Sequence, residues 1–502
     1  MLSNRSEVQQ NKEQKSLDMN PLSQPFDQFI ESPESKQLAS TLAVELKQHL
    51  KLQRFSPLYE YHLTKIILNL YQAWSSNKGK SIAISRRKNF YDEDQGIYQN
   101  KKLSYTFMVG CLDGLAELGY VDLVMLGYKD PITDKFYTSC YQPSQALQAL
   151  FTEYEFNHQA ITKEPTAVAV LLRDKKPKKT KTNPNPRGKL LNYRPTQHNR
   201  TMSKNLKTIN AALEDTDINL YVTDKEMVEL NQRMAGKNKE DPSRLPDVQF
   251  SRKWLYRVFN ESFERGGRFY GGFWQEIPSK YRSRITMDHC VITEIDFDSL
   301  HPAMLYLREG YTKDYYQDPY QLTGSIGSKM FDEVKLPRKA VKIAMNMMLN
   351  SNNRTEALGA IRKSGLKRPS GYKNWGQLVD AIEQYHSPIA HNFYSGVGSE
   401  LQYLDSQIVE TVLLELIKEN TIALPVHDSF LCKLKDMKLL IEQMNVATQK
   451  HLGSELFITL DPPKLERPDT VPTTEFGGYF SRRSNYLKKA GAVEADKEPH
   501  LI

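Results

Sequence analysis

The chain has 502 residues, enough for about three domains of about 150 residues each and for a sizeable buried core. Lys and Arg total 68 against 60 Asp and Glu, a net charge of +8 that leans toward a polyanionic partner. Cys111, Cys140, Cys290 and Cys432 lie far apart with no CxxC pair, which argues against a zinc site or disulfide framework and for a reducing compartment. No apolar run approaches the roughly 20 residues of a membrane span. The polar, charged N-terminus is not a signal peptide. A cytoplasmic protein with no membrane partner is the expectation.

Residues 1–37 are polar and rich in Ser, Gln, Asn, Glu and Lys, which predicts a disordered or loosely docked arm. Apolar periodicity from Leu38 to Tyr71 predicts helices. Over Leu103–Leu118, Met108, Cys111, Leu112 and Leu115 recur at helical spacing, and Gly119 supplies a stop. A strand-like run, Tyr120–Leu126, a turn at Lys129-Asp130-Pro131 and a second run, Phe136–Tyr141, follow. A helix followed by a two-stranded ribbon resembles a winged helix, so residues 38–155 are expected to form a winged-helix-like domain. In that family the helix enters a DNA groove and the wing touches phosphate. A structural or protein-contacting unit is the alternative. The cluster Ser85-Arg86-Arg87-Lys88 suits DNA contact, or is a solvated face.

Residues 156–200 read as a basic Pro/Lys-rich linker. Arg173-Asp174-Lys175-Lys176-Pro177-Lys178-Lys179-Thr180-Lys181 is followed by Asn183-Pro184-Asn185-Pro186 and Arg187-Gly188-Lys189. Proline and like charge oppose a packed core there. The stretch either lies along a phosphate backbone or acts as a tether. Helical patterns resume at Met202–Leu213 and Lys225–Met234, giving a helical segment over 201–250.

From about residue 250 the chain is denser in aromatics and motifs. In Arg265–Pro278, glycines 266, 267, 271 and 272 allow backbone to approach a ligand closely, or to turn a hairpin corner. Arg268 can grip phosphate there, and the rings can support a base or sugar. Next, Val291–Ile295 is a β-branched run that places Asp296 near a strand end, and Asp298 follows on the same face. Ser299–Leu307 reads as a helix, with His301 on its first turn. A second acid, Asp428, sits in Leu424-Pro425-Val426-His427-Asp428-Ser429-Phe430, like a tight hairpin with the acid at its tip. A carboxylate in an apolar run is costly unless it is paired or binds a metal. Between the acids, Arg338, Lys342, Asn346 and Asn350 form a polar stripe at helical spacing after Pro337. Two cations on the first turns of a helix would clamp a triphosphate, while Val341, Ala344, Met345 and Met348 would dock on the core. An ordinary amphipathic surface helix is the bland alternative. Strand acid, cationic helix and second acid are the parts of two-metal phosphoryl transfer.

The order Gly266–Pro278, Ile295–Leu305, Arg338–Asn350 and Leu424–Phe430 resembles the palm and fingers of family-A DNA polymerases, and also the single-subunit phage-type RNA polymerases. The matched residues are Gly267, Arg268, Gln275, Ile277 and Pro278, then Asp296, Arg338, Lys342, His427 and Asp428; Ser429 matches the phage-type His-Asp-Ser. The family glutamate is His301 here, its fingers aromatic is Asn346 and its tyrosine is Asn350. The motifs are also closer together than in the family. The resemblance implies an α+β fold: a right-hand polymerase-like palm of antiparallel sheet and packed helices with reduced helical fingers over 251–470. A thumb-like segment over 201–250 precedes it, and a C-terminal tail, 471–502, follows.

The function so implied is a template-directed DNA polymerase-like nucleotidyltransferase. A primase-like or RNA-synthesising enzyme is an alternative, as is a winged-helix replication protein with an inactive polymerase-like scaffold. Asp296 and Asp428 would be catalytic and would bind two Mg²⁺ (or Mn²⁺) with the Phe297 carbonyl. Arg338, Lys342, His301, Asn346 and Asn350 would bind the nucleoside triphosphate. Arg268, Gln275 and His427 would hold primer-template or single-stranded DNA.

Overall fold

The computed structural model describes residues 33–54, 56–76, 81–92, 96–98, 101–131, 136–156, 168–177, 187–240, 248–316, 318–322, 338–368, 372–461 and 472–491. It is a mixed α+β structure with antiparallel sheets and two main apolar cores.

The first core lies between residues 38 and 156. Helices α1 (Pro33–His49), α2 (Pro57–Ser76) and α3 (Tyr105–Glu117) pack against strands β1 (Ile82–Ile84), β2 (Val121–Met125) and β3 (Ser139–Pro143), ordered β1-β3-β2 and all antiparallel. Met108, Cys111, Leu112 and Leu115 are buried on α3, as their spacing requires. The helix and ribbon of the sequence reading are both present, with β1 as an additional strand. Arg86, read as part of a solvent or DNA-facing cluster, is instead committed within the fold. Its two terminal nitrogens donate to Asp113 Oδ1 and Oδ2 at 2.6 and 2.8 Å, fastening the chain after β1 to α3. Leu123, Val124, Leu126 and Tyr128 are exposed along the ribbon.

The second core runs from Ala169 to Leu456. A three-stranded sheet begins it: β4 (Val170–Arg173) runs parallel to β6 (Tyr256–Asn260), and β6 pairs antiparallel with β7 (Ser262–Tyr270). The supposed linker is therefore partly folded. Leu172 accepts from Leu191 N at 2.9 Å and Asp174 N donates to Lys189 O at 2.8 Å, so the chain returns antiparallel along β4. Residues 157–167 and 178–186 of that stretch lie outside the described residues. The 201–250 segment is likewise not all helical. Between α4 (Gln197–Glu214) and the helix Asp224–Glu240, Ile218–Leu220 forms strand β5 and joins the main sheet.

That main sheet has six strands. Its central member is β9 (Cys290–Phe297), flanked by β8 (Ile285–Met287), β11 (Ser429–Lys433) and β12 (Ile458–Asp461); β10 (Leu424–Val426) pairs the far side of β11 and β5 the far side of β8. Every pairing is antiparallel. Val291, Ile292 and Ile295 on β9 are fully packed, and β-branched side chains favour such a position. Helices α5 (Leu300–Arg308), α6 (Arg338–Asn350), α7 (Gly398–Lys418) and α8 (Met437–Leu452) belong to the same core.

The expected C-terminal tail contains a docked helix, α9 (Gly477–Ala490). Its Tyr479 is fully buried, bonds His289 Nδ1 through its hydroxyl at 2.7 Å and accepts from Asn219 Nδ2 at 3.2 Å through its carbonyl. The arm also ends earlier than expected, because α1 starts at Pro33 and Ser35 is already buried; residues 1–32 lie outside the described residues.

Candidate active site

The two acids meet because of strand register. Asp296, next to last on β9, is paired directly with Ser429, the first residue of β11. Val426 pairs with Ser429 across the β10/β11 hairpin, so His427 and Asp428 are its two-residue loop. Asp428 is thus one residue from the partner of Asp296. His427 takes φ +60°, a left-handed value uncommon outside glycine. The loop is braced from below: Trp274 Nε1 and Gln275 Nε2 both donate to Pro425 O, at 3.1 and 3.0 Å.

Electrostatics report the same closeness. Burial raises the Asp296 carboxyl from its ordinary 3.8 to about 7, the charge of Asp428 pushes the same way, and Lys342 opposes both. Asp296 Oδ1 is buried and has no hydrogen-bond partner among the described residues. An orphaned carboxylate oxygen beside a second carboxylate is an acceptor pair in want of a cation.

The cation-bearing helix is α6. Ala340, Val341, Ala344, Met345, Met348 and Leu349 are buried on it, while Arg338, Lys342 and Asn350 are exposed and Asn346 is half-buried, as the spacing predicts. Pro337, expected as its first residue, lies outside the described residues. Arg338 and Lys342 both stand over the Tyr320 ring, 5.2 and 5.6 Å from its centroid. Tyr320 is buried, and its hydroxyl is pushed up by that burial and then by Asp428, against the pull of Arg338. Tyr320 therefore links the cationic helix to the acidic hairpin. Arg338 has an acidic partner, Asp318, at 2.6 Å; Lys342 makes no ion pair among the described residues. Asn350 Nδ2 donates to Asn346 O at 2.8 Å, and its amide abuts Gly398 at the start of α7.

Across the site, three residues expected to touch nucleic acid or nucleotide have protein partners. Arg268 Nε donates to the wholly buried Asp405 at 2.7 Å, and its Nη2 lies 2.5 Å from the same oxygen. Burial lowers the Arg268 pKa, but Asp405 and Asp428 outweigh it and the net shift is upward. His301, on the first turn of α5, sits 3.3 Å from Arg268 Nη2 and 3.7 Å from Asp405 Oδ2. Gln275 gives its amide nitrogen to Phe269 O as well as to Pro425 O. His427 is exposed, with its ring edge-on to Tyr270 at 6.4 Å. Phe297 packs its ring against Phe430, and its main chain pairs with Ile458. Asp298 accepts from Thr459 Oγ1 at 2.5 Å, which ties it to β12 as a turn residue.

The glycines of β7 and its exit make room for protein. A Cβ on Gly267 would come within 2.6 Å of the Phe259 ring and 2.9 Å of Ser406 Oγ; one on Gly271 would meet Trp254 O at 2.4 Å. Both have positive φ: Gly267 sits within β7 where its register with β6 shifts and Gly271 directly follows β7, while the hairpin corner itself is at Glu261.

Four residues that the sequence reading did not assign to the site belong to it or its support. Glu294 lies two positions before Asp296 on the same strand face, accepts from Ser429 Oγ at 2.8 Å and raises the Asp296 carboxyl. Period two on β9 was the signal that could have found it. Asp405 shares the buried face of α7 with Leu401, Ile408, Val409 and Val412, so its place in an apolar i, i+3, i+4, i+7 pattern marked it. Asp318 and Tyr320 carried no periodic signal.

Among the described residues, no group of three or more His, Cys, Asp or Glu side chains is arranged to hold a metal by itself. Two carboxylates still suit Mg²⁺, which is ordinarily held by one or two carboxylates together with substrate phosphates. No helix in the described residues is long and apolar enough to cross a membrane.

The fold and site together define a mixed α+β protein with a carboxylate pair facing a cationic helix. No family model and no curated protein matches the chain. A solved structure, the POL domain of Pol1 from M. smegmatis in complex with DNA primer-template and dNTP, aligns over 86% of this chain and 66% of that one, just under two thirds of its length. The identity is 11% and the TM-score 0.25, too low for the match to bear on fold or function.

Proposed function

We propose that this chain is a nucleotidyltransferase that adds nucleotides to a 3′ end in a template-directed, DNA polymerase-like reaction. The observation that carries the reading is the orphaned, buried Asp296 Oδ1 next to Asp428, in the field of Lys342. The order of motifs shared with family-A polymerases supports it from the sequence side.

In this reading Asp296 and Asp428 hold Mg²⁺, with the Phe297 carbonyl as a further ligand. Bound divalent ions there would stabilise both the attacking and the leaving oxygens of an in-line displacement. Lys342 and Arg338 draw the triphosphate to the first described turns of α6. Arg338 exchanges Asp318 for phosphate when the nucleotide arrives. Tyr320 presents its ring beneath both cations and keeps them on the side facing Asp428. Arg268, held by Asp405, sets His301 at the edge of the site, where it and Asn346 would meet the nucleotide sugar and base. Trp274 and Gln275 keep the Asp428 loop at fixed height through Pro425.

His301 stands where the DNA polymerases carry glutamate, so synthesis from ribonucleotides is a second reading. Incubating the purified protein with labelled dNTPs or NTPs, with and without primer-template and Mg²⁺, decides between them. Extension of a primer with dNTPs is the expected result; a ribonucleotide polymer selects the second reading. Binding of primer-template with no polymer under any condition leaves only a nucleic-acid-binding scaffold and rejects the proposal.

A further inference from the structure

A cavity lies away from the carboxylate site, between the N-terminal half of α4 and the sheet strands β4 and β6. It measures about 460 Å³. Two aromatic side chains, Tyr193 and Trp254, form part of its wall, and Arg200, Lys204 and Lys207 stand along one side. These three cations are spaced four and three residues apart, so they share one face of α4. All three are exposed, and no acidic side chain is among the described residues that line the cavity. The Tyr193 ring is fixed in place by its hydroxyl, which donates to Val170 O at 2.8 Å. Ile97 reaches the rim from the N-terminal half of the chain and is held there by Asn192 Oδ1, 3.0 Å from its backbone nitrogen.

Asn199 also lines the cavity and is 2% exposed. Its Oδ1 accepts from Thr196 N at 3.0 Å and from Thr196 Oγ1 at 2.6 Å. Two donors on that atom fix the amide orientation, and Nδ2 on the other side is buried with no hydrogen-bond partner among the described residues.

We propose that this cavity binds a nucleotide, with the ring against Tyr193 or Trp254 and the phosphate on Arg200, Lys204 and Lys207. Flat ring surface beside clustered positive charge is a pairing that nucleotide chemistry satisfies. The nucleotide is either free or one unit of a single strand passing over α4. The inference does not depend on nucleotidyl transfer, since none of these residues belongs to the carboxylate site.

The test uses the full chain without divalent cation. Adenosine monophosphate is titrated by calorimetry, and a fluorescent single strand of about 10 nucleotides by anisotropy. The double variant Arg200→Glu, Lys204→Glu alters exposed side chains and should melt like the parent. For whichever probe binds, it should weaken affinity about tenfold or more and, for the strand, flatten the slope of log K against log salt by about 1.4. Trp254→Ala should weaken binding by a similar factor, and Trp254→Phe should restore most of it. Binding of both probes identifies a free-nucleotide site; binding of the strand alone identifies a strand track. If neither probe binds the parent, or the double variant binds both as the parent does, the proposal is overturned.

Discussion

Two sets of cations flank the carboxylate site and behave in opposite ways. Arg257 and Arg268, on β6 and β7, are turned inward and neutralised: Arg257 is wholly buried, with Nη1 3.0 Å from Glu410 and Nη2 2.7 Å from Ser406, and Arg268 is held by Asp405. Arg338 and Lys342, on α6, stand exposed above Tyr320, and only Arg338 has an acidic partner among the described residues. The first set builds the wall. Its charges are paired between sheet and α7, and only Arg268 also acts on the site, through Asp428. The second set keeps its charge available on the first described turns of α6.

The sharpest way to break the comparison is to exchange the expected behaviours. Arg257→Ala should leave Glu410 buried without its partner and cost about 3–5 kcal/mol, read from the urea midpoint. The paired change Arg257→Met, Glu410→Leu should recover much of that loss, because the desolvation of both charges disappears with them. Lys342→Ala should instead leave stability within about 0.5 kcal/mol and lower incorporation about 10²-fold. If Lys342→Ala unfolds the protein, or Arg257→Ala is thermally silent, the division between wall and ligand-facing cations is wrong.

A smaller effect sharpens the electrostatics. Without divalent ions, Asp296 binds its proton up to about pH 7 in the folded chain but only to about 3.8 when unfolded. The native state holds the extra proton between those values, so stability should fall as pH rises from about 4 to about 7 and level off above. Asp296→Asn should remove that component of the slope. Lys342→Ala should extend it to higher pH, because Lys342 is the charge that holds the carboxyl down. Denaturation in chelator across this range checks all three. The smallest effect concerns the brace: Trp274→Phe removes one of two donors to Pro425 O and should cost about 1 kcal/mol.

The legible parts were those in which one segment contains its own explanation. The β-branched approach to Asp296, the tight turn around Asp428 and the two faces of α6 each follow from a local pattern, and each has the expected form. The illegible parts needed a partner far away in the chain. Arg268 shows in sequence as a charge able to grip phosphate; that it is held by Asp405, 137 residues on, is a fact of tertiary packing. The same holds for Arg86 with Asp113, and for Gln275, whose acceptor is 150 residues distant. Composition misled at the C-terminus, where a basic, polar stretch conceals Tyr479 as an anchor. It misled again at Val170–Arg173, where four residues of strand begin a run of lysines.

The central claim is that Asp296 and Asp428 act as one divalent-ion site for nucleotidyl transfer. Primer extension by Asp428→Asn, in Mg²⁺ and all four nucleotides, tests it most directly, with primer-template binding measured on the same sample. The account predicts a loss of about 10³-fold or more in incorporation with binding unchanged. Full activity in that variant would contradict it.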